Sequence, residues 1–142
     1  MKLKSKIYFD YNDILTMCHN LEDKVSEMRP DLIVGVVRGG LLPAVHLSHA
    51  LSVPMICLQW QTRDGEFKQD SKEIKDAIRS NKTIVFVDDI NDSGRTFEEL
   101  RGEYQEGKFV SLVERASSTF ITDSTSLRID DQRWIVFPWE KD

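Results

Sequence analysis

Three carboxylates crowd one short stretch of this chain: Asp88, Asp89 and Asp92. They follow an apolar run, Thr83 to Val87, and lead into Ser93-Gly94-Arg95-Thr96, which opens a helix-like segment. The apolar run reads as a buried strand of a parallel sheet. Acids at its carboxyl end fall where open α/β sheets bind ligands. The small residues that follow present backbone N–H groups at a helix N-terminus, a seat for phosphate. Carboxylates suit hydroxyls and metal; the N–H turn suits an anion. A ligand with ribose hydroxyls at one end and a phosphate at the other satisfies both. A surface turn with capping side chains would need one such residue and not three acids.

A second constellation, Val36-Val-Arg-Gly-Gly-Leu-Leu-Pro-Ala44, ends a strand in Arg38-Gly39-Gly40 and begins a helix. Glycines let backbone amides approach an anion closely, and Arg38 adds a forked cation. Taken alone, this fits a tight strand-to-helix turn with a solvated arginine equally well.

Together the two loops resemble the type I phosphoribosyltransferases. Asp88-Asp89 match that family's acidic pair, and Ser93 to Thr96 match its Thr-Gly-Gly-Thr-like turn, with Arg95 in place of the usual second glycine. Arg38-Gly39-Gly40 matches its pyrophosphate loop. The C-terminal Arg133-Trp-Ile-Val-Phe-Pro-Trp-Glu140 is similar to the end of the xanthine-guanine members. The resemblance covers nearly the whole chain. It implies an α/β fold: a type I phosphoribosyltransferase core (about 1–115), its parallel sheet flanked by helices, with a small C-terminal hood (about 116–142) over the base.

The implied reaction moves 5-phosphoribose from phosphoribosyl pyrophosphate (PRPP) to a nucleobase, expected to be a 6-oxopurine. On that match Asp88 and Asp89 hold the ribose hydroxyls, and Asp89 reaches Mg²⁺. Asp92 manages the proton at the imidazole edge of a purine. Ser93, Gly94, Arg95 and Thr96 hold the 5′-phosphate, and Arg38 and Gly39 the pyrophosphate. Trp134, beside Ile135, offers a stacking face to the base. In Ser111-Leu-Val-Glu-Arg115, Arg115 falls where purine members use a lysine to donate to the exocyclic oxygen of the base. The polar stretch Thr62 to Gln69 is implied to be a lid, with Arg63 or Lys68 reaching the pyrophosphate. The loop from Val37 to Gly40 is expected to hold a non-proline cis peptide. A rival of another class is a PRPP- or nucleotide-binding regulator of the same fold; the retained acids favour an enzyme.

Other candidates carry less. His46 and His49 share a helix face with no third ligand in register, and read as ordinary helix histidines. Cys18 and His19, adjacent on a helix, point apart. Cys18 and Cys57 have no metal spacing and read as reduced core thiols. Neither a G-x-G-x-x-G nor a Walker A pattern occurs.

The composition fits one soluble domain, with 142 residues and a formal charge of −5. That balance disfavours a broad nucleic-acid surface. With no apolar run of membrane-spanning length, a cytoplasmic protein is expected, working on small molecules as a homo-oligomer (dimer or tetramer).

The elements that must position these groups alternate between strand and helix. Asp10 caps a helix carrying Ile14, Cys18, Leu21, Val25 and Met28 on one face. Leu32 to Val37 reads as a buried strand, Leu41 to Leu51 as a helix, and Met55 to Trp60 as a strand. Asp70 has capping-box spacing to Glu73, ahead of Ile74, Ala77 and Ile78. The strand at Thr83 to Val87 precedes a helix with Phe97, Leu100 and Tyr104 on one face. Lys108 to Val113 is a further strand, Ser117 to Asp131 reads as polar and irregular, and Trp134 to Phe137 is a last short strand. Such alternation argues for a parallel sheet with right-handed crossovers.

Overall fold

The computed structural model describes residues 5–62 and 67–141. Its elements run β1 (Lys6–Tyr8), α1 (Tyr11–Glu27), β2 (Leu32–Val37), α2 (Leu41–Leu51), β3 (Met55–Gln61) and β4 (Phe67–Lys68). They continue with α3 (Lys72–Arg79), β5 (Ile84–Asn91), α4 (Arg95–Glu103), β6 (Lys108–Arg115), β7 (Ser124–Ile129) and β8 (Trp134–Val136). The main sheet has the order β4-β3-β2-β5-β6-β7 and is parallel apart from the β3–β4 pair.

Continuous apolar strands are what a sheet covered on both faces requires. In β5, Val85 and Val87 face a core shared with Ile14, Leu21 and Val25 of α1 and Ala44 and Leu47 of α2. Ile84 and Phe86 face the opposite core, with Ile74 and Ala77 of α3 and Phe97 and Leu100 of α4. Helix α1 begins where expected: Asp10 Oδ1 accepts from the Asp13 N–H at 2.8 Å, and Asp13 Oδ2 accepts from the Asp10 N–H at 2.9 Å. This reciprocal pair satisfies two otherwise orphaned donors.

Several expectations need correction. The N-cap of α3 is Ser71, whose hydroxyl accepts from the Ile74 N–H; Asp70 instead pairs with Lys75. The stretch Ser117 to Asp131 is not irregular throughout, since it contains β7, which extends the main sheet beside β6. Strand β1, too short to show a period, pairs in parallel with β8, matching Ile7 to Ile135. The expected loop from Thr62 to Gln69 ends in β4, which closes a hairpin on β3 with Trp60 opposite Lys68; its tip, including Arg63, lies outside the described residues. Cys18 is buried, and burial pushes its thiol up to about 11. Cys57, in β3, is exposed and is no core thiol. Among the described residues no helix is long and apolar enough to cross a membrane.

Candidate active site

The strand β5 runs past its acids. Asp88 lies opposite Ser111 of β6, and the pairing continues to Asn91 opposite Glu114. Buried Asn91 donates from Nδ2 to Glu114 Oε1 at 2.9 Å and to the Phe120 carbonyl at 2.7 Å. The same Glu114 oxygen accepts from the Thr122 N–H at 2.8 Å. This buried network beneath the turn fixes where β5 stops and α4 begins; the Thr122 hydroxyl beside it is buried without a partner.

Asp88 and Asp89 are partly buried at the carboxyl end of β5. Asp88 Oδ1 accepts from the Asp89 N–H at 2.8 Å, and Asp89 Oδ1 from the Ile90 N–H at 2.7 Å. Burial, followed by the charge of Asp89, raises the Asp88 carboxyl well above the usual carboxylate range. Burial also raises Asp89, and the charge of Glu140 adds to it, against hydrogen bonds that act the other way. Two acids driven toward holding protons are a site where a divalent cation relieves repulsion, and carboxylate oxygens are the donors that Mg²⁺ selects.

Beside this pair, the Val37–Arg38 peptide is cis, as expected for this loop. A Cβ on Gly39 would run into the Asp89 carboxylate. Only glycine allows the two loops to approach so closely. Arg38, Gly39, Asp88 and Asp89 line a cleft of about 1320 Å³, which Tyr11, Trp139 and Glu140 also line.

A smaller recess adjoins it, lined by Asp92, Arg115, Trp134, Ile135 and Phe137, with Asp89, Ile90 and Glu140 common to both. Trp134 is 57% exposed, so its ring face is open. Phe137 and Trp139 stack on each other at 5.1 Å, the core role their position suggests. Arg115 is 5% exposed and is the hub of the recess. Its Nε donates to Asp92 Oδ1 at 3.0 Å, Nη1 to the Asp131 carbonyl at 2.9 Å, and Nη2 to the Arg133 carbonyl at 2.7 Å. Three of its five N–H groups are thereby committed to protein partners.

The turn Ser93 to Thr96 lines neither recess. Gly94 has φ of 99°, a left-handed conformation that glycine adopts without cost. No side chain caps α4 at Gly94. The first amide, on Arg95, donates to the Ser93 hydroxyl at 3.2 Å; the next amides of the first turn have no helical carbonyl to partner and suit an anion. The turn is backed by Thr119, whose N–H and hydroxyl donate to the Ser93 carbonyl at 3.0 and 3.1 Å. Arg95 reaches along α4 to Glu99, which also holds Lys68 of β4 at 3.0 Å.

A family model described as the phosphoribosyl transferase domain matches residues 6–141. The chain belongs to the phosphoribosyltransferase family. It is 31% identical over 112 residues to the xanthine-guanine phosphoribosyltransferase of Idiomarina loihiensis, covering 76% of this chain and 70% of that one. The same enzyme from Cereibacter sphaeroides is 28% identical over 113 residues, covering 76% and 68%. Among solved structures, the purine phosphoribosyltransferase of Pyrococcus horikoshii superposes with a TM-score of 0.82 at 32% identity, covering 97% of this chain and 96% of that one. The type I phosphoribosyltransferase core thus accounts for the strand order and for the loops at the carboxyl ends of the strands.

Two site features of this phosphoribosyltransferase escaped the sequence reading. Glu140 lines both recesses and accepts from the Phe137 N–H at 2.9 Å; its signal was the acid after Pro138-Trp139, which had no role attached. Asn91 and Glu114 carry the buried scaffold of the turn; a polar residue ending an apolar strand was their only mark.

Proposed function

We propose that this phosphoribosyltransferase transfers 5-phosphoribose from PRPP to a 6-oxopurine (guanine, xanthine or hypoxanthine), yielding a nucleoside 5′-monophosphate and pyrophosphate. The observation that carries the reading is the continuity of the two recesses through Asp89, Ile90 and Glu140. A ribose held at that junction has room for pyrophosphate on one side and a base on the other. The relatives named above support the purine class.

The 5′-phosphate sits on the amides of Ser93 to Thr96 at the start of α4. Asp88 and Asp89 accept from the ribose hydroxyls. Asp89 holds Mg²⁺, which when bound neutralises charge on the departing pyrophosphate. Arg38 and the Gly39 backbone hold the pyrophosphate itself. The base stacks on Trp134 over Ile135, and Asp92 takes the proton from its imidazole edge as the glycosidic bond forms. Arg115 holds Asp92 in place, and its remaining N–H groups face the base oxygen. The β3–β4 hairpin, spanning the lid segment Thr62–Gln69, excludes water from a cationic ribosyl centre. One core with its hood is the working unit, acting in purine salvage in the cytoplasm. It works as a homo-oligomer, a dimer or tetramer.

Pyrophosphate release from PRPP and Mg²⁺, measured with guanine, xanthine, hypoxanthine, adenine and uracil in turn, tests this. Release with 6-oxopurines is expected. Preference for adenine or uracil would overturn the base assignment, and no release with any base would favour a regulator.

A further inference from the structure

Away from the cleft, α1 and α2 bring three ligand-type side chains together. Glu22 Oε2 accepts from His19 Nδ1, one turn back on α1, at 2.7 Å. The same oxygen accepts from His46 Nε2 of α2, also at 2.7 Å. The three ligand atoms lie within 4.8 Å of one another. The imidazole rings meet edge to face with centroids 5.0 Å apart. His46 is 17% exposed and Glu22 28%, whereas His19 is 59% exposed, so the group is sheltered below and open above. On α2 alone His46 has no partner in register. The third ligand comes from the neighbouring helix, which no spacing along the chain reveals.

We propose that His19, Glu22 and His46 form a zinc site that joins α1 to α2. Two imidazole nitrogens and one carboxylate are the donors that Zn²⁺ accepts where three protein ligands leave a position for water. The i, i+3 spacing of His19 and Glu22 places both on one helix face. Zn²⁺ bonds such atoms at about 2.0–2.2 Å, which in a tetrahedron sets neighbouring ligands roughly 3.3–3.6 Å apart. Ligand atoms 2.7 Å apart therefore need only a small outward side-chain rotation to admit the ion. Each ring then carries its proton on the nitrogen away from the metal, and Glu22 exchanges two N–H donors for one cation. Helix α2 starts directly after Gly40, so pinning it to α1 also braces the loop that carries Arg38. The transferase reading does not depend on this site.

The test uses the full chain carrying Cys57→Ser, with excess Mg²⁺ to keep the added metal off Asp88 and Asp89. Calorimetric titration with Zn²⁺ alone should give one ion per chain. His46→Gln, His19→Gln and Glu22→Gln should each weaken binding by more than the roughly 10–100-fold that loss of an outer hydrogen-bond partner costs at metal sites. Binding should also weaken as pH falls from about 8 to about 5, because ligating nitrogens must be unprotonated. In ¹⁵N spectra of the same chain without further substitution, the His19 Nδ1 and His46 Nε2 resonances should move on adding Zn²⁺, a readout independent of how the variants fold. Zinc binding of unchanged affinity in the variants, unmoved imidazole resonances at saturating Zn²⁺, or no zinc uptake at all would each overturn the site.

Discussion

Asp92 Oδ1 accepts a 3.0 Å hydrogen bond from Arg115 Nε, and the remainder of that guanidinium grips the carbonyls of Asp131 and Arg133. One buried arginine thus ties the acid that follows β5 to the segment leading into β8. The carboxylate nearest the expected proton transfer and the walls of the base recess are positioned by the same group.

Replacing Asp92 by Asn is expected to lower kcat by roughly 10²–10⁴-fold, the usual worth of a positioned general base. Affinity for PRPP should change little. Asp88→Asn and Asp89→Asn should weaken PRPP and Mg²⁺ binding as well. Steady-state kinetics beside calorimetry of PRPP·Mg²⁺ separates the two patterns, and equal loss of PRPP affinity in all three variants would contradict the division.

Arg115→Ala leaves the part-buried Asp131 and Arg133 carbonyls without their charged donors, and a hydrogen bond to a charged group is worth about 1.5–3 kcal/mol. Thermal stability should fall, KM for the base should rise, and kcat should fall with the loss of Asp92 orientation. Arg115→Lys keeps charge but only a single donor head, so it should recover part of kcat and little of the stability. A variant with wild-type melting behaviour would show that the grip on the hood is dispensable.

The raised Asp88 carboxyl has a consequence for stability. Its native-state value lies above its ordinary value of about 4. The native state therefore holds this proton more tightly than the unfolded chain does. The resulting stabilisation is full below about pH 4 and is lost as pH rises through the raised value. Asp88→Asn removes that loss. In EDTA its melting temperature should gain on the wild type as pH rises, and adding Mg²⁺ to the wild type should close the gap. A difference independent of pH would refute the effect.

Trp134→Ala should raise KM for the base by an amount on the order of tenfold, as loss of a stacking partner costs about 1–3 kcal/mol. The residue is 57% exposed, so melting should shift little. Unchanged KM for every base would remove the stacking role.

Gly39→Ala should cost PRPP binding more than it costs folding. Its Cβ would press on the Asp89 carboxylate at the cleft and not on the core. Full PRPP affinity in this variant would show that the loop and the acid can separate.

What could be read along the chain was what local chemistry encodes. Asp10 and the run Ile14, Cys18, Leu21, Val25 define α1 without further help, and the acids after Val87 mark the site. Strand β7 was hidden because Ser124, Thr125 and Ser126 sit on a sheet edge, where only Ile129 is fully buried and no apolar alternation is demanded. The capping of α3 was misplaced by one residue because Asp70 and Ser71 are both good caps; Lys75 settles it by drawing Asp70 away. Arg115 was visible as a strand-end cation, but its partners lie in segments that fold back from elsewhere. Glu140 and Asp89 meet through tertiary placement alone, as do His46 and Glu22.

The hood sheet joins residues 6–8 to residues 134–136 through three paired positions. Closing so long a loop carries a large entropic cost before few contacts repay it. In the finished protein this two-stranded sheet, held by three paired positions, opens more readily than the six-stranded one. Hydrogen exchange at Ile7 and Val136 should accordingly outpace exchange at Val85 and Val110, and the recess that receives the base would breathe while the floor that holds the ribose stays shut.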